Sequence, residues 1–554
     1  MCQLSLTHAR KRWKLNHLLQ NRLSPHNVNF SRHILDAMTN HNQQSGPSRA
    51  IVIGAGLGGL SAAMRLGAKG YRVTVLDRLD RPGGRGSSIT QNGHRFDLGP
   101  TIVTVPQVFR QLWAECGRDF DGDVDLRPVD PYYEIRWRDG STFSVRQDDA
   151  AMEAEVRRLS PGDVSGYRRF LSDSEKRYRF GFEGLGRRPM NKLMDLIREL
   201  PGFVKLRADR SVYAHAARRV KDDRLRMALS FHPLFIGGDP TRVTSMYILV
   251  SHLEKEFGVH YAMGGVQAMA DAMVHVIEDQ GGEVRMDTEV TEICVEQDRT
   301  SGIVTAAGEA IASDIVVSNA DPGTTYEKLL SKHAKRRWTP RRLNRSRWSM
   351  GLFVWYFGTK GTAGMWGDVG HHTILNGPRY NGLLDDIFIR RKLADDMSIY
   401  LHRPSVTDPS AAPAGDDTFY ALSPVPNLHG PSVDWDAMTE IYRAKLARVL
   451  DDHLLPGFED HLSASHIFTP RTFETRYLSP HGAGFSLEPR IFQSAWFRPH
   501  NISEEIAGLY LVGAGTHPGA GIPSVVTSSE VLTKLVPDAP RPVATQPHQR
   551  LAAE

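Results

Sequence analysis

The stretch from Arg49 to Arg78, RAIVIGAGLGGLSAAMRLGAKGYRVTVLDR, constrains the fold of this chain more than any other. Ala50 to Ile53 is an apolar, β-branched run, which is typical of a strand buried on both faces of a parallel sheet. Gly54, Gly56 and Gly59 follow at the spacing of a turn that admits a phosphate and lets the next helix pack on the strand. The pattern predicts a strand, a glycine turn and a helix whose N-terminus binds the diphosphate of a dinucleotide.

An acid closes the second predicted strand of this unit. Tyr71 to Leu76 alternates like a strand, and Asp77 stands 23 positions after Gly54. A carboxylate at this place accepts a hydrogen bond from a ribose hydroxyl and would repel a 2′-phosphate. The glycine spacing alone is a weak signal, but strand, turn, helix, strand and acid occur together here. The sequence therefore predicts a dinucleotide without a 2′-phosphate.

The α/β pattern starts, stops and returns twice along the chain. This predicts an α/β fold with a discontinuous Rossmann-like domain, an inserted α+β domain and a helical region. The predicted divisions are a basic leader (1–48), a first nucleotide-binding segment (49–150), a helical region (151–257), a second nucleotide-binding segment (258–330), a substrate domain (331–484), a third nucleotide-binding segment (485–537) and a disordered Pro-rich tail (538–554).

The charge of the chain is concentrated at its start. The net charge is +5, but residues 1–49 hold seven Lys or Arg and one acid, so the remainder is close to neutral and gives no indication of nucleic-acid binding. The leader has no apolar core of a secretory signal. Its composition fits either an organellar transit peptide or an untranslated segment before a true start at Met38, which we favour.

The cysteines and the apolar runs argue against a disulfide-rich protein and against a protein that spans the membrane. The three cysteines, Cys2, Cys116 and Cys294, are far apart, so we predict neither a disulfide framework nor a metal site, and a reducing compartment. No apolar run reaches the roughly 18 residues of a spanning helix. Any membrane contact is therefore expected to be peripheral.

Six sequence blocks, in order, carry a resemblance that covers roughly residues 50 to 535: DRPGGR, FDLGPT, HYAMGGVQAMADAM, VVSNAD, SAWFRPHN and VGAGTHPGAGIPSVV. They resemble the bacterial-type phytoene desaturases, a carotenoid desaturase family among the FAD-dependent amine-oxidase-like flavoproteins. The resemblance implies non-covalent FAD and successive C=C bonds introduced into phytoene to give neurosporene or lycopene. It also implies a peripheral enzyme on the cytoplasmic side of the membrane, with a quinone or oxygen as electron acceptor. The inserted α+β domain would then be a substrate domain, and the helical region would be membrane-facing.

By the same resemblance, residues of the first strand–turn–helix unit and of the C-terminal glycine turn contact the FAD. The pair Gly83-Gly84 with Arg85 also predicts a second close backbone approach beside a cation, suited to a diphosphate. The full predicted cofactor set is Gly54, Ala55, Gly56, Gly59, Asp77, Gly84, Arg85, Val290, Gly513, Gly515, Ile522 and Val525.

Desaturation removes a hydride and a proton, so the protein needs a proton acceptor. Asp195 and Arg198 stand at i and i+3 of a predicted helix, where the cation keeps the acid ionised. We predict this pair as catalytic, with a surface ion pair as the alternative. His517 is a rival acceptor, although we expect it to shape the Thr516–Pro518 turn.

Aromatic and amphipathic segments indicate the substrate path and the membrane contact. A hydrocarbon has no polar group to bind, so its site is expected to be an apolar tunnel, with candidates Trp355, Tyr356, Phe357, Phe492, Trp496 and Phe497. Two segments are candidates for the membrane surface: the amphipathic NKLMDLIRELPGFVKL, and the basic run from Lys332 to Trp348, whose Trp338 and Trp348 are expected at the interface.

Other functions remain open at this point. The same frame serves desaturases of hydroxylated or shorter carotenes and carotene isomerases. An amine oxidase is a further alternative, although aromatic cage residues for an amine are not identifiable. A non-enzymatic flavin-binding protein also fits the glycine pattern.

Overall fold

The computed structural model describes residues 48–333, 337–430 and 433–539 of the 554-residue chain. A five-stranded parallel sheet is assembled from both ends of these residues, as the sequence predicts. Its spatial order is Leu509–Leu511, Ile315–Ser318, Arg49–Ile53, Arg72–Leu76 and Glu283–Arg285. The β-branched run forms the central strand, and Ala50, Ile51 and Val52 are buried because both faces of the sheet are covered.

Three helices from distant regions of the chain cover one face of this sheet. Leu57–Ala68 packs against Gly265–Asp279 and Ile522–Thr533. The opposite face carries a second apolar cluster, shared with a three-stranded antiparallel sheet. The strands of that sheet are Val290–Glu296, Arg299–Thr305 and Ala310–Ala312.

A seven-stranded mixed sheet forms the other half of the structure. All of its neighbouring strands are antiparallel except one parallel pair. Its order is Leu462–Phe468, Gly351–Thr359, Asp417–Val425, Ile399–His402, His372–Leu375, Tyr133–Arg136 and Thr142–Val145. The last two strands come from within the first predicted nucleotide-binding segment, so the chain enters the second sheet before residue 150.

The predicted helical region contains helices through most of its length. They are Asp149–Leu159, Val164–Arg177, the π-helical Tyr178–Gly186, Leu193–Lys205, Val212–Ala217, Asp223–Ser230 and Leu249–Phe257. Among the residues that the structure describes, no helix combines the length and apolarity needed to cross a membrane.

Smaller elements complete the fold. Two antiparallel pairs join Ser88–Gln91 to His94–Asp97, as a hairpin, and Leu126–Pro128 to the distant His260–Ala262. The remaining α-helices are Pro106–Glu115, Phe120–Asp123, Pro322–Thr324, Pro340–Arg345, Tyr380–Asp385, Trp435–His453 and Pro470–Arg476. The predicted leader, except Ser48, and the predicted tail beyond residue 539 lie outside the described residues.

Candidate active site

A cavity of about 660 Å³ begins where four parallel strands end. Gly54, Asp77, Asn319 and Val512 each follow the last residue of a strand, and all four line the cavity. Ligands of open parallel sheets bind at this carboxyl edge. The cavity then continues to the seven-stranded sheet.

The two glycine turns meet around the side chain of Asn319. A Cβ atom would lie 2.8 Å from Asn319 Nδ2 at Gly56, 2.6 Å from Asn319 Oδ1 at Gly58 and 2.5 Å from that oxygen at Gly513. The Asn319 amide also donates a 3.4 Å hydrogen bond to the Gly54 carbonyl. Asn319 was not predicted as a site residue, although it stands at the polar end of a buried strand and within the VVSNAD block.

The helix that starts at Leu57 presents its N-terminus to the cavity. Gly56 is its N-cap and supplies no side-chain hydrogen bond, while Gly56, Leu57 and Gly58 line the cavity. The first-turn N–H groups of a helix without a capping side chain favour an anion. This edge therefore fits the diphosphate of a dinucleotide.

Asp77 is held by the backbone of the same turn. Its carboxylate accepts hydrogen bonds from the Ala55 N–H at 2.7 Å and the Leu79 N–H at 2.9 Å. Burial raises the pKa of Asp77 from its usual value, while these two bonds act in the opposite direction. The carboxylate is thus fixed at the rim of the cavity, where the sequence predicts the ribose contact.

Arg85 lies on the same side and is held by Ser479, to which its guanidinium donates a hydrogen bond. Burial lowers the pKa of Arg85, and the charge of Asp321 raises it. Asp321 also lines the cavity. The predicted cation beside the diphosphate edge is therefore present, partly balanced by an acid.

The predicted cofactor set is brought together almost completely. All of its members line the cavity except Ala55 and Gly59, which lie behind the glycine turn. Ala55 donates its N–H to Asp77, and a Cβ at Gly59 would lie 2.0 Å from the Gly54 carbonyl oxygen. These two residues shape the turn from behind.

The predicted catalytic pair does not line the cavity, although neighbouring residues of its helix do. Asp195 is near the start of the helix Leu193–Lys205, and its carboxylate accepts the Lys192 N–H at 3.0 Å. Arg198 is exposed, and neither residue is among those that line the cavity. The structure gives Asp195 a capping contact, and the catalytic role of the pair stays a prediction.

The seven-stranded sheet supplies an apolar wall to the cavity. Leu352, Val354 and Tyr356 line it, whereas their neighbours Trp355 and Phe357 belong to a cluster that does not border it. Side chains alternate between the faces of a strand, so only one in two can face a ligand. Of the other predicted tunnel residues, Phe492 and Phe497 line the cavity and Trp496 does not.

A buried glutamate is among the residues that line the cavity. Glu254 is 4% exposed, and its carboxylate accepts hydrogen bonds from Tyr133 Oη at 2.9 Å and His232 Nε2 at 3.1 Å. Burial and the negative charge of Glu254 raise the pKa of Tyr133 well above its usual value. The sequence analysis missed Glu254, because its partners come from two distant segments.

His517 borders the cavity from the C-terminal glycine turn. Its Nε2–H donates to the Leu185 carbonyl at 2.9 Å, so Nδ1 carries the lone pair. Burial lowers the pKa of His517 to about 4. The imidazole is therefore neutral, and it ties the glycine turn to the π-helical segment, which agrees with the expected role in shaping the turn.

The basic run from Lys332 to Trp348 does not expose the tryptophans that were expected at a membrane interface. Trp338 and Trp348 are 2% and 5% exposed, so neither indole is available to a membrane interface, and that expectation is wrong. The Arg342 guanidinium lies over the Trp338 ring at 4.0 Å instead. Lys335 and Arg336 lie outside the described residues.

The helix Leu193–Lys205, the second membrane candidate, is exposed on its apolar side. None of its residues is fully buried. Its exposed apolar side chains are Leu193, Met194, Ile197, Leu200 and Val204. Leu196, Leu200 and Phe203 of the same helix line the cavity, as do the partly exposed Ile491 and Phe492. We name this element the surface helix; the cavity reaches the protein surface beside it.

Comparisons with known proteins agree with this geometry. The family model "Flavin containing amine oxidoreductase" matches residues 57–530. A neurosporene-forming phytoene desaturase of Cereibacter sphaeroides is 68% identical over 92% of this chain and 99% of its own length. A lycopene-forming phytoene desaturase of a Paracoccus species is 42% identical, over 88% and 97%. Among solved structures, cyclohexylamine oxidase from Brevibacterium oxydans superimposes with a TM-score of 0.56 at 14% identity, over 88% and 100%.

Proposed function

The chain belongs to the phytoene desaturases within the flavin-containing amine oxidoreductase family, and we propose on that premise that it is an FAD-dependent desaturase converting phytoene to neurosporene. The observation that carries this proposal is the continuous cavity that joins a dinucleotide edge to an apolar wall. Neurosporene is favoured because the 68% identical relative is neurosporene-forming, and the lycopene-forming relative is only 42% identical.

Bound FAD supplies a hydride acceptor for the reaction. The chain's own task begins at the diphosphate edge, where the N-terminus of Leu57–Ala68 and the cation of Arg85 hold the negative charge. Asn319 keeps the two glycine turns together. Residues such as Val354 and Tyr356 contact the hydrocarbon and exclude water, which keeps the removed hydride and the resulting carbocation from side reactions.

The second half of the reaction breaks the neighbouring C–H bond, whose electron pair becomes the new C=C bond while a proton leaves. We propose Glu254 as the acceptor of this proton, because its carboxylate is buried in the apolar cavity wall. The hydrogen bonds from Tyr133 and His232 orient it. The predicted pair Asp195 and Arg198 remains the alternative.

Matched variants separate these two candidates. Glu254→Gln preserves shape but cannot take a proton, so turnover is expected to fall by about 100-fold or more, with FAD still bound. Glu256→Gln, an exposed change on the same helix, is the control and is expected to be fully active. Asp195→Ala is expected to retain turnover. If it abolishes turnover and Glu254→Gln does not, the proton acceptor is Asp195.

The surface helix supports a peripheral membrane location, which we propose on the cytoplasmic side. Phytoene dissolves in the bilayer, so the enzyme needs an apolar entrance in contact with lipid. Met194, Ile197 and Val204 are exposed on the helix whose other side chains line the cavity. Lys192 and Lys205 flank the helix and suit anionic headgroups.

The test of the function is reduction of the flavin by phytoene. Holoenzyme mixed with phytoene liposomes without oxygen is expected to lose its oxidised-flavin absorbance, and chromatography is expected to identify neurosporene after turnover. Lycopene as the end product would overturn the product assignment but not the reaction. Bleaching by a polyamine and not by phytoene would refute desaturation in favour of amine oxidation.

The electron acceptor is the last component. We propose a quinone or oxygen, because a membrane-associated enzyme meets both. Turnover that continues without oxygen once a quinone is added to the liposomes is the expected result. Failure of both acceptors would refute this assignment.

A further inference from the structure

Three buried histidines from two neighbouring strands come together behind the cavity wall. They are His371, His372 and His402, and one ring nitrogen of each lies within 4.8 Å of the others. His371 Nε2 and His402 Nε2 are 3.0 Å apart. The trio lies at one end of the antiparallel pair His372–Leu375 and Ile399–His402, where His372 pairs directly with His402.

Two of these rings contact hydroxyl groups through Nδ1, the nitrogen that points away from the centre of the trio. His371 Nδ1 contacts Thr407 Oγ1 at 2.5 Å, and His372 Nδ1 contacts Tyr400 Oη at 2.7 Å. If each Nδ1 carries the hydrogen, the lone pairs of His371 Nε2 and His372 Nε2 point to the centre of the trio. Without an ion, His371 Nε2 accepts the hydrogen bond from His402 Nε2, and a metal would replace that bond. A ligating histidine normally makes such a bond with its second nitrogen.

Protein groups satisfy the nitrogens of the trio only in part, through the hydrogen bond between His371 and His402. His372 Nε2 is buried and has no hydrogen-bond partner among the described residues, and the same is true of His402 Nδ1. A buried polar atom without a partner is costly, so an ion that bonds to these nitrogens is favoured.

We propose that His371, His372 and His402 form a zinc site. Three neutral imidazoles and an open fourth position match zinc, whose bonds to histidine nitrogen are about 2.0–2.1 Å long. Nitrogen ligands of a tetrahedral zinc ion at that length are roughly 3.3 Å apart. The three ring nitrogens, now within 4.8 Å of one another, reach this spacing if the rings shift by up to about 1.5 Å. The nearest charges to the trio are Asp408, which acts on His371, and its ion-pair partner Arg95, which acts on His402.

The ion would position a section of the cavity wall. With His372 Nε2 on zinc, its Nδ1–H donates to Tyr400 Oη, and the Tyr400 hydroxyl donates to Thr101 Oγ1 at 2.9 Å. Tyr400 and Thr101 both line the cavity. The zinc therefore fixes the direction of these two hydroxyl groups and takes no part in hydride transfer.

The test is the zinc content of the full-length holoenzyme, prepared with zinc in the growth medium and measured by elemental analysis after gel filtration. About one zinc per chain is expected in the wild type. His372→Gln and His402→Gln are expected to lose it, and His275→Gln, an exposed change outside the trio, to keep it. X-ray absorption at the zinc edge of the wild type is expected to give three imidazole ligands, which does not depend on the variants folding.

Three outcomes would overturn the proposal. They are a wild type without zinc, zinc that survives both substitutions in the trio, and a zinc spectrum with sulfur ligands. None of them bears on desaturation, since flavin bleaching by phytoene is measured separately.

Discussion

Replacing Met194 and Val204 of the surface helix by glutamate is expected to weaken liposome binding about 30-fold. Their side chains are 60% and 71% exposed in the absence of lipid. Full burial of such a side chain is worth about 1.5–3 kcal/mol, so the exposed fractions alone correspond to about 2 kcal/mol for the pair. The two added charges increase the loss in the presence of anionic lipid.

The assay is co-sedimentation of the holoenzyme with liposomes of phosphatidylcholine and phosphatidylglycerol. The chain offers a matched control in Val406→Glu with Ile441→Glu. These side chains are 52% and 51% exposed but lie away from the surface helix. The control removes a similar exposed apolar area and adds the same charge, so it is expected to bind as the wild type does.

Two results would contradict a membrane contact through the surface helix. The first is equal binding of Met194→Glu/Val204→Glu and the wild type. The second is an equal loss in the control, because it would trace binding to overall charge and not to the surface helix. Phytoene presented in detergent micelles is expected to be desaturated by the surface variant, since the cavity itself is unchanged.

Two further changes test the packing of the glycine turn and the pH dependence of stability. Gly59→Ala places a Cβ 2.0 Å from the Gly54 carbonyl oxygen, so we expect a loss of about 1–3 kcal/mol in stability and weaker FAD binding by fluorescence titration. Gly162→Ala, where a Cβ meets open space, is the control, and a wild-type melting temperature for Gly59→Ala would contradict the close packing at Gly59. Burial raises the pKa of Glu488 to about 7 from 4.5, so the folded protein holds this proton more tightly than the unfolded chain, and stability falls as pH rises between these values, by roughly 3 kcal/mol. Glu488→Gln is expected to melt higher than the wild type at pH 8 and to lose this dependence, and an unchanged pH profile would refute the assignment.

Local motifs allowed the nucleotide edge to be predicted from sequence. Gly54, Gly56 and Asp77 act through backbone geometry within one strand–turn–helix unit, and the spacing of these residues fixes that geometry. The C-terminal turn at Gly513 was found for the same reason. Their convergence on one cavity follows because the parallel strands place all their carboxyl ends at one edge.

Sites formed by distant residues could not be predicted in this way. Asn319 acts by filling space between glycines that are more than 450 positions apart in the chain, from Gly56 to Gly513. Glu254 is one of many acids on amphipathic helices, and only its burial beside Tyr133 and His232 distinguishes it. The basic run near Trp338 was wrongly predicted to place its tryptophans at a membrane interface. Composition alone does not show that the indoles of Trp338 and Trp348 are buried in the core.

The surface helix explains why catalysis and membrane contact were both predicted for one segment. Its pattern contains two apolar faces, not one: Leu196 and Phe203 line the cavity, while Met194 and Val204 are exposed. The helix is therefore a wall with one apolar face on the cavity and one at the protein surface, which fits the proposed entry of a hydrocarbon from a membrane. Asp195 accepts the Lys192 N–H at the N-terminal end of this wall, and its catalytic role stays a prediction.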